Sequence, residues 1–237
     1  MKGKRKSFWT GFLFVALLVS CVLLSIVFLL TGSDSLESLA DAAFCTLVID
    51  PGHGGIDGGA VSDDGTRESD LNLAIALKLR ALAEWLGQPV VMTRSDDRIR
   101  EDYADYSEHE DLVRRTELVN QTPGAVLISI HQNDFPTGQP SGAQVFYANS
   151  PGSEELGKRC HANLVALLDP ENRRVAAPAP KNLYMTSHVD CPAILAECGF
   201  MSNNFDVQKL CGGDYQTAVA LILAGSLTQY LNEYDSF

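Results

Sequence analysis

The stretch VIDPGHGGIDGG, residues 48–59, continues an apolar run with five glycines, one proline and a single histidine, His53. Glycine tolerates positive φ and lets a backbone or a ligand approach closely, so this composition predicts a tight, exposed turn at the end of a buried strand. Three interpretations of His53 stay open: part of a phosphate-binding turn, an ordinary surface residue, or a metal ligand. The phosphate interpretation is the weakest, because the stretch has no lysine and matches neither G-x-G-x-x-G nor G-x-x-x-x-G-K-[ST].

Strands and helices alternate on both sides of this turn. Apolar and amphipathic patterns predict strands at 46–50, 88–94, 124–131, 143–148 and 191–200, and helices at 69–87, 110–121, 153–168 and 214–231. The first helix has candidate N-caps at Ser69 and Asp70, a stop at Gly87, and an apolar side that includes Trp85. This order predicts an α/β fold class: one domain with a twisted, mostly parallel sheet and helices on both faces.

The amino-terminal part has a different composition. Four basic residues within positions 2–6 precede residues 7–33, which carry no charged side chain. The apolar stretch is long enough to span a bilayer as a helix and longer than a signal-peptide core of about 7–15 residues. A retained anchor is therefore favoured over cleavage after ADA at 40–42. We predict a cytoplasmic basic flank and transmembrane helix at 1–32, a linker at 33–44, and a domain at 45–237 outside the cell membrane.

Charge and cysteine usage exclude some partners and sites. All thirty acidic residues but only fourteen of the eighteen basic ones lie after Ser33, so this part has a formal charge of −16, which disfavours nucleic acid as a partner. Five of the six cysteines lie after Ser33, and this odd number without a CxxC pair fits neither a disulfide framework nor a thiolate zinc site. We expect them to be small buried residues: Cys45, Cys160, Cys191, Cys198 and Cys211.

Four ionisable residues lie at the ends of predicted elements. His53, His131 and Glu197 each end a strand, and Glu68 precedes a helix. Burying a carboxylate such as Glu197 in an apolar strand costs several kcal/mol unless it is paired or binds a metal. Glu68 alone has an alternative interpretation as a helix-end charge. Imidazoles and a carboxylate around one open position are typical of catalytic zinc.

Four motifs in order, VIDPGHGG, RESDLNL, LISIHQN and PAILAECGFMSN, resemble the zinc-dependent N-acetylmuramoyl-L-alanine amidases, which are cell-wall enzymes. The resemblance covers about residues 46–232. It implies that His53, Glu68 and His131 bind Zn²⁺ and that Glu197 is catalytic. It also implies hydrolysis of the amide bond between the lactyl group of N-acetylmuramic acid and L-alanine in peptidoglycan, with residues 45–237 as the zinc amidase domain.

Weaker matches concern individual residues and the branch of the family. The segments MTR and RTELVN contain two family arginines, of which we expect Arg115 to form an ion pair or cap a helix rather than contact substrate. Asn133 and Asn203 are interpreted equally well as substrate contacts or turn caps. ENRR and ECGF resemble the spore-cortex, germination-related branch.

The resemblance also raises the question of regulation. In some relatives a helix plugs the site until a protein partner removes it. Residues 150–181 are predicted to hold one helix and a Pro/Ala-rich loop, which leaves no room for such a plug. An activating protein partner stays an expectation. Two alternatives to the amidase are another zinc peptidase or deacetylase of the cell wall, and a catalytically inactive wall-binding module.

Overall fold

The computed structural model describes residues 45–97 and 106–234. These residues fall within one compact unit, Cys45–Phe237. The predicted flank, anchor and linker at 1–44 lie outside the described residues, so the division of the chain into anchor, linker and domain stays a prediction. Among the helices of the described ranges, none combines the length and apolar character needed to cross a bilayer.

The described strands form one sheet in the order β2-β1-β3-β6-β4-β5. In chain order they are β1 Thr46–Pro51, β2 Val90–Met92, β3 Ala125–Asn133, β4 Gln144–Tyr147, β5 Ala177–Pro178 and β6 Ala193–Phe200. Neighbours run parallel except β6 and β4, which are antiparallel, so β4 and β5 reverse direction at one edge. The predicted α/β class and mostly parallel sheet are confirmed.

Helices pack on both faces of the sheet, as predicted. They are α1 Glu68–Trp85, α2 Glu108–Gln121, α3 Ser153–Leu168, α4 Tyr184–His188, α5 Asn204–Leu210 and α6 Gly213–Tyr234. Because side chains alternate along a strand, Leu47 and Ile49 join a core with α1, α3 and α6, whereas Val48 joins a second core with α2 and α4. Between residues 150 and 181 the structure contains α3 and the two-residue β5.

The start of α1 differs from the prediction. The helix begins at Glu68, its N-cap Arg67 makes no side-chain cap hydrogen bond, and neither Ser69 nor Asp70 is the cap. The backbone N–H of Glu68 instead donates to the carbonyl of Ala60 at 2.9 Å, and that of Ser69 to Gly58 at 3.0 Å. The glycine-rich turn thus satisfies the first amides of the helix, so no capping side chain is needed.

Other differences concern exposure and short elements. Trp85 is 83% exposed rather than buried, because Ala83 is the last residue of α1 that reaches the core. The expectation of buried cysteines holds for Cys160 and Cys198. It is wrong for Cys211, which is exposed, and Cys45 and Cys191 are only half-buried. Sequence patterns also missed β5, α4 and α5, which are too short to show a clear period.

Candidate metal and catalytic centre

The turn after β1 presents His53 in a left-handed conformation. His53 has φ of 60°, and among the described residues other than glycine it alone has positive φ. Its Nδ1 lies 2.8 Å from a carboxylate oxygen of Asp57, four residues along the same turn. This contact orients the imidazole so that Nε2 lies 3.4 Å from Oε1 of Glu68.

Glu68 is buried at the first residue of α1, where several donors fix its carboxylate. Oε1 accepts hydrogen bonds from the backbone N–H of Gln132 at 3.0 Å and from the amide of Asn72 at 3.2 Å. Oε2 accepts from the N–H of Ala60 at 3.0 Å. The amide of Asn72 is itself oriented by Gln132, whose Nε2 donates to its oxygen at 3.1 Å.

Parallel pairing of β3 with β6 brings the remaining two residues together. His131 and Glu197 are register partners on these neighbouring strands. Nδ1 of His131 lies 3.1 Å from Oε1 of Glu68. The imidazole fits only because residue 52 is glycine, since a Cβ there would lie 2.2 Å from Cε1 and Nε2 of His131.

The three donor atoms lie close enough together to bind one metal ion, and two of their separations are near the tetrahedral value. Ligand atoms of His53, Glu68 and His131 all lie within 4.8 Å of one another. Two of the separations are 3.1 and 3.4 Å. Metal–ligand bonds of about 2.0–2.2 Å at tetrahedral angles place donor atoms about 3.3 Å apart. The chemistry and proximity of two imidazoles and one carboxylate therefore fit a site for a divalent metal.

Mutual contacts shift the pKa values of this cluster. Burial disfavours the charged form of Glu68, but hydrogen bonds from His131 and His53 hold its pKa well below the usual range. Burial likewise opposes charge on His53, but hydrogen bonds to Asp57 and Glu68 raise its pKa to about 10. Such stabilisation of positive charge among these residues is what a site for a cation supplies.

The pKa of Glu197 is shifted in the opposite direction to that of Glu68. Burial, with a smaller contribution from Glu68, raises its pKa to about 7 against the charge of His131. Its Oε2 is buried and has no hydrogen-bond partner among the residues at 45–97 and 106–234. A carboxyl group with a pKa near neutrality and a free oxygen can accept and release a proton at physiological pH.

A pocket of about 270 Å³ opens above these four residues. One wall comes from α4 and the residues before it, including Leu183, Tyr184 and Thr186. The other walls carry Asn133 and several acidic side chains. The pocket therefore leaves the cluster open to a ligand.

The structure thus brings together all four residues selected from the sequence, and their roles as ligands and base stay predictions. Arg115 forms ion pairs with Asp50 and Asp111 at 3.0 and 2.8 Å, in line with the expectation of a structural role. Asn203 caps α5, because its side-chain oxygen accepts from the N–H groups of Phe205 and Asp206.

Sequence reasoning missed the residues that orient the cluster. Asp57 follows His53 by four positions, and Asn72 follows Glu68 by four positions on one face of α1. This spacing was a usable signal for Asn72, since residues i and i+4 are neighbours on a helix. Gln132 carried no comparable signal.

Comparison with known proteins identifies the family. Residues 47–229 match the model of a protein family described as N-acetylmuramoyl-L-alanine amidase. The chain belongs to this amidase family. The amidase is 34% identical to the germination-specific N-acetylmuramoyl-L-alanine amidase of Bacillus subtilis (strain 168) over 79% of this chain and 80% of the relative.

Solved structures agree with this family membership. The amidase superposes on the CwlD amidase from Clostridioides difficile, solved in complex with the GerS lipoprotein, with a TM-score of 0.75 and 34% identity. The alignment covers 79% of this chain and 98% of that one. An N-acetylmuramoyl-L-alanine amidase from Clostridium difficile 630 gives a TM-score of 0.70 at 31% identity, covering 80% and 98% of the two chains. The amidase is therefore an enzyme that acts on peptidoglycan.

Proposed function

We propose that this amidase is zinc-dependent and cleaves the bond between the lactyl group of N-acetylmuramic acid and L-alanine of the stem peptide. The observation that carries the proposal is the convergence of the three donor atoms of His53, Glu68 and His131 beside Glu197. Two imidazoles with one carboxylate form a donor set typical of zinc that retains an open position.

The residues of the centre have different proposed roles in amide hydrolysis. His53, Glu68 and His131 would hold the ion, and bound zinc would polarise the amide carbonyl and lower the pKa of a water molecule. Asp57 orients His53, and Asn72 orients Glu68. Fixed ligand orientations are needed because metal affinity depends on them.

Glu197 is the proposed general base. It accepts a proton from the attacking water and delivers it to the nitrogen of L-alanine as the carbon–nitrogen bond breaks. In the metal-free site burial raises the pKa of Glu197 to about 7, in the range that suits a group that accepts and then releases a proton. The newly formed products are a lactyl carboxylate and a free L-alanine amine.

Digestion of purified muropeptides by the full chain tests the proposal. We expect mass spectrometry to find a free N-terminal L-alanine and an intact N-acetylated glycan, with activity lost in chelator and restored by zinc. Loss of acetyl groups would identify a deacetylase, and cleavage within the stem peptide would identify a peptidase. Unchanged muropeptides together with no bound metal would favour an inactive wall-binding module.

We further propose that residues 1–32 anchor the amidase in the cell membrane with the domain on the wall side. The support is the uncharged apolar stretch behind four basic residues. Immunoblotting of membrane and soluble fractions tests this. A full-length species in membranes, sensitive to protease added from outside, is expected. A shorter soluble species beginning near residues 41–44 would show cleavage instead.

The similarity to a germination-specific amidase and to an amidase solved with a lipoprotein supports a role on spore-cortex peptidoglycan and a protein partner. We propose both for this chain. Faster cleavage of cortex than of vegetative peptidoglycan is the expected result. Equal rates on both would remove the cortex assignment, and co-purification from sporulating cells would test the partner.

A further inference from the structure

Two arginines outside the set of ligands hold the turn that carries His53. We propose that Arg94 and Arg115 are positioning residues for the metal centre, joining this turn to the elements that carry the other two ligands. The inference rests on the proposed metal function of His53, Glu68 and His131. It assigns a role to the two family arginines that contribute no atom to the centre.

Arg94 binds backbone carbonyls on two separate segments. Its Nε donates to the carbonyl of Pro51 at 2.8 Å, and its Nη2 donates to Gly52 at 3.0 Å and to Ser69 at 2.9 Å. Ser69 follows Glu68 in the first turn of α1. One guanidinium therefore ties the segment before His53 to the segment that carries Glu68.

Arg115 binds the same turn from α2. Its Nη2 donates to the carbonyl of His53 at 2.8 Å, and its Nη1 donates to Pro51 at 2.9 Å. Nη1 also donates to the buried carboxylate of Asp50 at 3.0 Å. The other oxygen of Asp50 accepts a hydrogen bond from the hydroxyl of Ser129 at 2.6 Å. Ser129 lies on β3, two residues before His131, so this chain of contacts reaches the third ligand.

The turn needs these donors because the ladder between β1 and β3 ends here. In a parallel ladder the N–H of Gln132 would continue to the carbonyl of Gly52, but it donates to Glu68 instead. The carbonyl of Gly52 accepts from Arg94 and Asn72 in its place. Because the N–H of Gln132 binds Glu68, the carbonyl of Gly52 has lost its donor in the ladder. Side-chain donors must therefore satisfy this buried carbonyl.

The conformation of His53 adds a second requirement. A residue with a Cβ in the left-handed region persists there only when its surroundings fix it. Arg115 binds the carbonyl of His53 itself, and Arg94 packs so closely that a Cβ at Gly54 would lie 2.8 Å from its Nε. Loosening either contact allows the turn to relax and moves Nε2 of His53 away from its position beside Glu68.

Arg94→Lys and Arg94→Met in the full chain test the proposal. Lysine keeps the charge but lacks the planar fork that reaches four backbone carbonyls, that of Asp96 included, and methionine keeps only the stem. We expect zinc affinity, measured by competition with a chelator, to fall about 10-fold in both variants, the scale seen for residues that orient ligands. With cobalt in place of zinc, the visible absorption spectrum is expected to change, and at saturating zinc kcat is expected to fall while KM is unchanged.

Two controls separate positioning from stability and charge. Leu164→Ala removes a buried side chain of α3 and is expected to lower the melting temperature without changing zinc affinity. Arg173→Gln removes an exposed arginine that, within the described part of the chain, pairs only with Glu171 and Pro170, and it is expected to change neither property. Arg115→Lys provides an independent variant at the second arginine.

The outcomes distinguish this inference from the proposed function. Wild-type protein that binds no zinc would overturn the metal function on which the inference rests. Zinc binding by wild-type protein with equal affinity and an unchanged cobalt spectrum in both Arg94 variants would overturn the inference alone. Loss of affinity in Leu164→Ala equal to that in the Arg94 variants would also overturn it, because general destabilisation would then explain the effect.

Discussion

Substitution of Glu197 by glutamine separates two effects of this carboxyl group: its proposed role in turnover and the folding stability that its burial costs. The carboxyl group lies at the pocket floor with Oε2 buried and unpartnered among the described residues. Glutamine keeps its size and removes its charge. We expect Glu197→Gln to bind metal like the wild type and to lose turnover by about 100-fold to 10,000-fold, the range for removal of a general base.

The same substitution is expected to stabilise the protein when metal is removed. Burial, more than the charge of Glu68, raises the pKa of Glu197 from 4.5 to about 7. The folded protein therefore retains a proton that the unfolded chain has lost between these pH values, so the stability of the wild type falls as pH rises through this window. A shift of this size corresponds to at most about 3 kcal/mol.

Denaturant unfolding in chelator at pH 4.5 and pH 8 measures this effect. We expect the two proteins to have similar free energies of unfolding at pH 4.5, with Glu197→Gln more stable by up to about 3 kcal/mol at pH 8. A difference that is independent of pH would refute the reasoning about burial. Loss of metal from the variant would instead make Glu197 a ligand.

Three further substitutions test other parts of the centre. Glu68→Ala should abolish tight zinc binding in a chelator competition, and wild-type affinity would reduce Glu68 to a helix-end charge. Gly52→Ala should also abolish tight zinc binding, because its Cβ would lie 2.2 Å from His131. Gly213→Ala, with no atom near its Cβ, should leave zinc affinity unchanged. Despite its burial, Asp50 has a pKa lowered to about 2, chiefly by Arg115. Asp50→Asn should therefore cost about 2 kcal/mol at pH 7 by denaturant unfolding, a difference that shrinks as pH falls from about 4 to 2; a constant difference would contradict this.

The proximity of His53, His131 and Glu197 was predictable because neighbouring parallel strands place corresponding positions side by side. The prediction that each ends a strand was wrong for His131 and Glu197, which lie inside β3 and β6 because both strands extend beyond the apolar runs. The placement of Glu68 came from the family motif, since its position before a helix has an ordinary electrostatic explanation. The α/β architecture followed from the alternation of elements in the same way.

The contacts that orient the centre were not predictable from patterns. Arg94 donates hydrogen bonds to backbone carbonyls. The sequence does not indicate which carbonyls lack a donor in the β-ladder. The N-cap of α1 was mispredicted for a related reason, because backbone carbonyls of the glycine-rich turn replaced a capping side chain. Trp85 was placed on the apolar side of the helix by its spacing, but α1 extends beyond the core at that point and leaves it exposed.

The pairing of β3 with β6 determines when the enzyme can first become active. His131 and Glu197 are neighbours in the sheet, but β4, α3, β5 and α4 lie between them in the chain. Parallel pairings between distant segments form late, because loop closure must precede the contacts that stabilise it. His53 and His131 can therefore come together before Glu197 joins them. The four residues of the centre are complete only when the chain as far as β6 has been made and folded.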